Sequence, residues 1–270
     1  MWAALALTTV LTTAPAQQSL ELKNVRVTSG VLGPVRKENK LMPGDMLVVA
    51  FDIEGLKVKD DGIVQYAMGM ELVRKDRSGK EKILFKRELQ DIEGINSLGG
   101  TSVPAFAQIV LGTDSEPGDY NLRVMVKDRL TNKEAVLNKP FEVVPTKFGF
   151  VQVLLTSRAG EPFPPVGLPG QIVFLRCSLV GFKTNQDKLP HISFEMQILD
   201  EAGKPTIAKP FKNDDIKTDV SKTNGTMIFL PIRIELNRPG KYKVVLKAKD
   251  NIGGETIEHS LDLTVLPAEK

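Results

Sequence analysis

The stretch Pro117-Gly118-Asp119-Tyr120-Asn121-Leu122-Arg123-Val124-Met125-Val126-Lys127-Asp128 occurs twice, returning as Pro239-Gly240-Lys241-Tyr242-Lys243-Val244-Val245-Leu246-Lys247-Ala248-Lys249-Asp250. Within it Tyr120, Leu122, Val124 and Val126 alternate with Asn121, Arg123 and Lys127, and the second copy sets Tyr242, Val244, Leu246 and Ala248 against Lys243, Lys247 and Lys249. Period-two alternation after a Pro-Gly turn marks a half-buried β-strand. A second block pairs Met42-Pro43-Gly44-Asp45 through Gly55-Leu56-Lys57 with Leu168-Pro169-Gly170-Gln171 through Gly181-Phe182-Lys183. The two blocks keep the same order and nearly the same offset, so the chain is a tandem duplication.

Outward from these blocks, matched strands follow in both halves: Leu47 to Ile53 with Val173 to Leu179, Tyr66 to Leu72 with Ile192 to Ile198, and Ala107 to Leu111 with Ile232 to Leu236. Opening strands fall near Leu22 to Val27 and Val151 to Leu155, and closing strands near Phe141 to Val143 and Leu261 to Val265. Helical spacing shows only near Glu88 to Ile95, for a turn or so. About seven short strands in each half, with polar outer faces, predict an all-β protein of two tandem antiparallel sandwiches. The expected division is residues 1–16 as a signal peptide, 17–145 as the first sandwich and 146–270 as the second, joined by Val144-Pro145-Thr146-Lys147.

This pattern resembles the immunoglobulin-like superfamily, in particular bacterial adhesion-type modules of exported proteins, over nearly all of the chain beyond residue 16. The resemblance implies that Tyr120 and Tyr242, each opening its strand, form tyrosine corners in which the hydroxyl bonds backbone just upstream. It implies adhesion, spacing or partner binding as function, by analogy of fold alone. The chain departs from antibody-type domains in two places. No tryptophan lies in Tyr66 to Val73 or Ile192 to Leu199, and Cys177 stands where the second-strand cysteine would be while Val244 occupies its partner's position.

Composition sets the class. Of 270 residues 41% are hydrophobic and 26% charged, as in ordinary globular proteins, which excludes collagen-like, disordered and disulfide-scaffold chains. The net charge of +3 carries no basic excess that would suggest nucleic acid. Met1 to Ala16 is uncharged, apolar from Trp2 to Leu11, and ends in Ala14-Pro15-Ala16 before Gln17. It reads as a secretory signal peptide cleaved after Ala16, and is shorter than the roughly 20 apolar residues a membrane span needs. The expected location is therefore secreted or periplasmic, with no membrane span. Cys177, the only cysteine, shares parity with Val173, Leu175 and Leu179 and is expected to be buried and unreactive.

Candidate sites are few, and no catalytic, cofactor or metal residue is assigned. His191 directly precedes a strand, and His259 has the inward parity of Leu261; both read as structural. Asp60-Asp61-Gly62 and Asp214-Asp215 offer oxygen ligands without the alternating acids of a calcium loop, and read as solvated turns. Asp128 and Asp250 end the repeated strand, where a carboxylate accepts turn N–H groups. Glu161 to Pro169 reads as a crossover between sheets whose prolines block edge pairing. Asn224-Gly225-Thr226 fits a glycosylation acceptor but reads as a turn before a strand.

The copies differ most in Lys57 to Val64 against Lys183 to Pro190 and in Arg87 to Thr101 against Lys212 to Gly225. Read as loops, these predict a non-enzymatic binding or spacer protein that holds an envelope protein or glycan through its loops. Two alternatives stand beside it. One is a chaperone-like assembly factor that completes a client's sheet with an edge strand, favoured by an exposed apolar edge and a basic interdomain cleft. The other is an accessory module of a carbohydrate-active enzyme.

Overall fold

The computed structural model describes residues 19–76, 78–216 and 226–268, where alternating apolar residues dictate most of the strands and no helix is present. The first half contains β1 (Glu21–Thr28), β2 (Lys40–Leu41), β3 (Met46–Glu54), β4 (Ile63–Lys75), β5 (Glu81–Ile95), β6 (Ser102–Val110), β7 (Gly118–Asp128) and β8 (Glu134–Val143). The second contains β9 (Gly149–Thr156), β10 (Val166–Gly167), β11 (Ile172–Val180), β12 (Ile192–Leu199), β13 (Phe211–Ile216), β14 (Met227–Glu235), β15 (Gly240–Asp250) and β16 (Thr256–Val265).

Each half pairs a three-stranded sheet with a five-stranded one. The orders β1-β3-β6 and β2-β8-β7-β4-β5 recur as β9-β11-β14 and β10-β16-β15-β12-β13. Pairings are antiparallel except β2 with β8 and β10 with β16. The repeated topology follows from the repeated sequence. Leu47, Val49, Phe51 and Ile53 face Leu122, Val124 and Val126 in one core; Val173, Leu175, Cys177 and Leu179 face Val244, Leu246 and Ala248 in the other. Each fully buried side chain of this size contributes about 1.5–3 kcal/mol of transfer free energy.

The first strands share an irregularity. Register shifts fall between Lys23 and Arg26 on β1, and opposite Arg176 and Ser178 on β9, with Asn24 (φ 50°) and Gln152 (φ 53°) in the left-handed region. Such a bulge bends the strand and re-aims a side chain. After it, the chain crosses to the other sheet in both halves. Pro162 bridges Thr156, and β10 then lies beside β16, so Glu161 to Pro169 is the expected crossover.

One expectation is corrected: Glu88 to Ile95 is not helical. It belongs to β5, a 15-residue end strand whose register with β4 slips at Met68/Met70 and again at Leu72/Val73. Both slips place an extra residue on β5, which interrupts its alternation. Most of its residues are also exposed, so no buried face demanded a regular pattern.

Candidate binding surface

Tyr120 Oη donates to Glu116 O at 2.7 Å and Tyr242 Oη to Arg238 O at 2.9 Å, each four residues upstream. Asp128 and Asp250 also repeat a role. Asp128 Oδ2 accepts from Lys57 N (2.9 Å) and Thr131 Oγ1 (2.9 Å) while Oδ1 accepts from Leu130 N (2.8 Å). Asp250 accepts from Lys183 N (2.8 Å) and Ile252 N (3.0 Å). Both close a turn, as the sequence suggested, and both also tie it to the loop after the second long strand. Burial, the largest single influence on Asp128, favours the neutral acid, but the hydrogen bonds together outweigh it and hold its pKa below the ordinary value.

The remaining candidates stay apart. Cys177 is buried, with burial pushing its pKa up to about 12. His191, half-buried, stands 3.6 Å from the exposed Asp215. Asp214 and Asp215 lie in β13 rather than in a turn, a correction that follows from pairing of Phe211 to Ile216 with β12. Asp61 caps its own turn by accepting from Ile63 N. Asn224 and Gly225 lie outside the described residues, as does the expected leader at 1–16. Among the described residues no three His, Cys, Asp or Glu side chains gather as a metal site would require, and no helix is long and apolar enough to cross a membrane.

Two features escaped the sequence reading. The first is the joint between the halves. Asp45, buried at the head of β3, binds Arg36 Nη2 through Oδ2 (2.7 Å) and accepts Gln152 N on Oδ1 (3.0 Å), while Gln152 Nε2 donates to Gly44 O (2.7 Å). The bulge in β9 is thus what reaches the first half. Gly44 has φ +86°, a backbone conformation that L side chains rarely adopt, so the turn favours glycine. Beside the joint lies a cleft of about 850 Å³ that mixes Arg36, Lys37, Lys40 and Lys243 with Glu38, Asp45 and Asp262. His259 has its expected parity but stays exposed on this cleft's wall, beside Phe150 at 6.4 Å between centroids. Partial desolvation, then Arg36, lower its pKa, with Asp45 opposing. The legible signal was a difference between copies: Asp45 stands where the second copy has Gln171, which instead accepts from Leu168 N in its own turn.

The second feature is the open side of the first sandwich. The end strands β5 and β6 flank a groove of about 480 Å³. Its apolar floor is Tyr66, Met68 and Met70, its walls include Ile92 and Phe106, and Arg87 is the one charged residue lining it. Beyond it β5 exposes Ile83, Leu84, Phe85 and Leu89. The segment Arg87 to Thr101 is therefore not the loop the sequence suggested: through Ile95 it is a strand.

No protein-family model matches the chain, and no curated protein matches it. Among solved structures, red sea bream transglutaminase is 8% identical, covering 95% of this chain and 32% of its own, with a TM-score of 0.29. Pseudomonas fluorescens alkylpurine DNA glycosylase AlkC, bound to DNA containing an abasic site analog, is 13% identical over 48% of this chain and 31% of its own, with a TM-score of 0.30. The chain thus spans about a third of the length of either, and the superpositions are too loose to bear on fold or activity.

Proposed function

We propose that this is a non-enzymatic binding protein of the cell envelope, built from two immunoglobulin-like sandwiches and capturing its partner on the open side of the first. The observation that carries the reading is the apolar groove between β5 and β6, where two sheet ends leave Met68, Ile92 and Phe106 available to a ligand. The repeated tyrosine hydroxyl bonds support the immunoglobulin-like assignment. The uncharged leader at Met1 to Ala16 supports export. Contact through strands of the first sandwich replaces contact through loops.

Crosslinking in the native envelope tests it. The partner captured by the parent chain should be lost with Met68→Ser plus Ile92→Ser, and retained with His191→Ala and His259→Ala. Retention by the groove variant, or a turnover abolished by either histidine change, would overturn the reading.

A second reading, an assembly factor that completes a client's sheet, is favoured by the same exposed strands. The cleft between the halves, with its mixed charge, does not supply the basic surface that reading called for.

A further inference from the structure

Resting on the capture reading above, we infer that the groove takes an extended segment of another polypeptide as an added strand on β6, uncharged along its length except for one carboxylate opposite Arg87. Leu111 N donates to Asp45 O and Thr101 O accepts from Gly55 N, so the odd-numbered residues of this strand direct their N–H and C=O groups toward β3. Ser102, Pro104, Phe106, Gln108 and Val110 consequently point theirs away from β3, and β6 ends its sheet. Pro104 belongs to this outward row, where a missing N–H breaks no pairing. Among the described residues, the N–H groups of Phe106, Gln108 and Val110 are open donors in a row.

The groove runs along that row. Five consecutive residues, Pro104 to Gln108, line it, as they would if it followed the strand's edge rather than one of its faces. An added strand there would hydrogen-bond β6 and send alternate side chains toward Met68 and Met70.

The second copy serves as an internal control. On β14 the outward row is the odd-numbered one, because Leu236 N donates to Gln171 O. In that row Pro231 stands at the place of Phe106, Arg233 at that of Gln108 and Glu235 at that of Val110, with Arg233 and Glu235 paired at 2.8 Å. Proline and charge are the usual devices that stop a sheet edge from recruiting strands. From Ser102 to Val110 the first copy has no charged residue, and its one proline, Pro104, stands near the start of the outward row, ahead of Phe106, Gln108 and Val110. An uncharged apolar edge beside a groove is what strand recruitment requires.

Two observations identify the occupant. Arg87 makes no ion pair among the described residues and is the single charge on the lining, so it calls for one acidic side chain in an otherwise uncharged segment. A second copy of the chain fits less well, since pairing β6 with β6 about a two-fold axis would bring another β5 into the same gap.

The probe is a fluorescein-labelled nonapeptide of alternating valine and threonine with one central aspartate, titrated into the full chain. Binding should slow amide exchange at Phe106, Gln108 and Val110 by about ten-fold or more, while N-methylation of alternate peptide nitrogens should abolish it. Phe106→Pro removes one open donor at the place where Pro231 is already accommodated, and should weaken binding about ten-fold further than Phe106→Ala, with unchanged circular dichroism. Arg87→Gln should weaken the aspartate peptide and leave an asparagine peptide unaffected. Equal effects of Phe106→Pro and Phe106→Ala, or binding without slowed exchange at those amides, would overturn strand addition while leaving capture through the groove intact. A dimer of the parent chain that dissociates with Phe106→Pro would overturn it in favour of a second copy. Failure of the peptide to bind, with native capture still lost in the Met68→Ser, Ile92→Ser variant, would overturn the proposed partner chemistry alone.

Discussion

Tyr120 and Asp128 bracket β7, and both hold backbone at its ends. The Tyr120 ring is buried and stacks on Phe141 at 5.5 Å, and Phe in its place would keep the stack but remove the hydroxyl's bond to the Glu116 carbonyl. Tyr120→Phe is expected to cost about 1–3 kcal/mol in urea unfolding. Tyr242 is only half-buried, water can replace its bond, and Tyr242→Phe should cost about 0.5–1.5 kcal/mol. Asp128 adds a pH dependence. Its folded pKa lies below the ordinary 3.8, so the ionised carboxylate stabilises the fold fully above that value, and the contribution disappears as pH falls through the folded pKa. Asp128→Asn should therefore be less stable at neutral pH, and its unfolding midpoint should vary less below about pH 4. At Cys177 the raised pKa and lack of access make labelling by a thiol reagent slow in the native state and fast in denaturant. The burial of Cys177 was legible because parity on a regular strand decides facing. Asp45 was not, because nothing local to it announces a partner 107 residues away.

Regular strands showed their identity through alternation, which is why Leu47 to Ile53 and Tyr120 to Val126 were placed correctly in both copies. β5 hid because alternation records a buried face on one side and water on the other. Its two bulges and exposed flanks left only a cluster, Ile83-Leu84-Phe85, with no period to read. The same exposure makes a prediction for stability. Replacing Ile83 and Phe85 with Thr should cost about 0.5–1.5 kcal/mol per site, well below a core position, since each side chain is only partly covered. Phe51→Ala, in the fully buried row of β3, should cost about 3–5 kcal/mol. A large loss in the Ile83, Phe85 variant would show that something covers this strand in the free protein.

Duplication organised the whole molecule and was visible at once, whereas the use made of each copy was not. A repeat advertises what its copies share. The joint and the groove both rest on what they do not: Asp45 against Gln171, and Phe106, Gln108 and Val110 against Pro231, Arg233 and Glu235. At this scale the expected effect of Asp45→Ala is a loss of about 1–3 kcal/mol, from leaving the Gln152 and Met46 N–H groups and Arg36 without their acceptor. A larger radius of gyration in solution scattering should accompany it.

Just past its last residue, β6 continues into Leu111, whose N–H is bonded to Asp45 O, and Gly112, whose carbonyl accepts Gly44 N. The edge that lines the groove is thus hydrogen-bonded at its end to the turn that grips Gln152. Thermodynamic linkage makes any communication through those two bonds symmetric. If an occupant that stiffens β6 also quiets the joint, the intact joint must raise the occupant's affinity by the same factor. Peptide affinity measured with and without Asp45→Ala, set beside joint motion measured with and without peptide, should return one number from two directions.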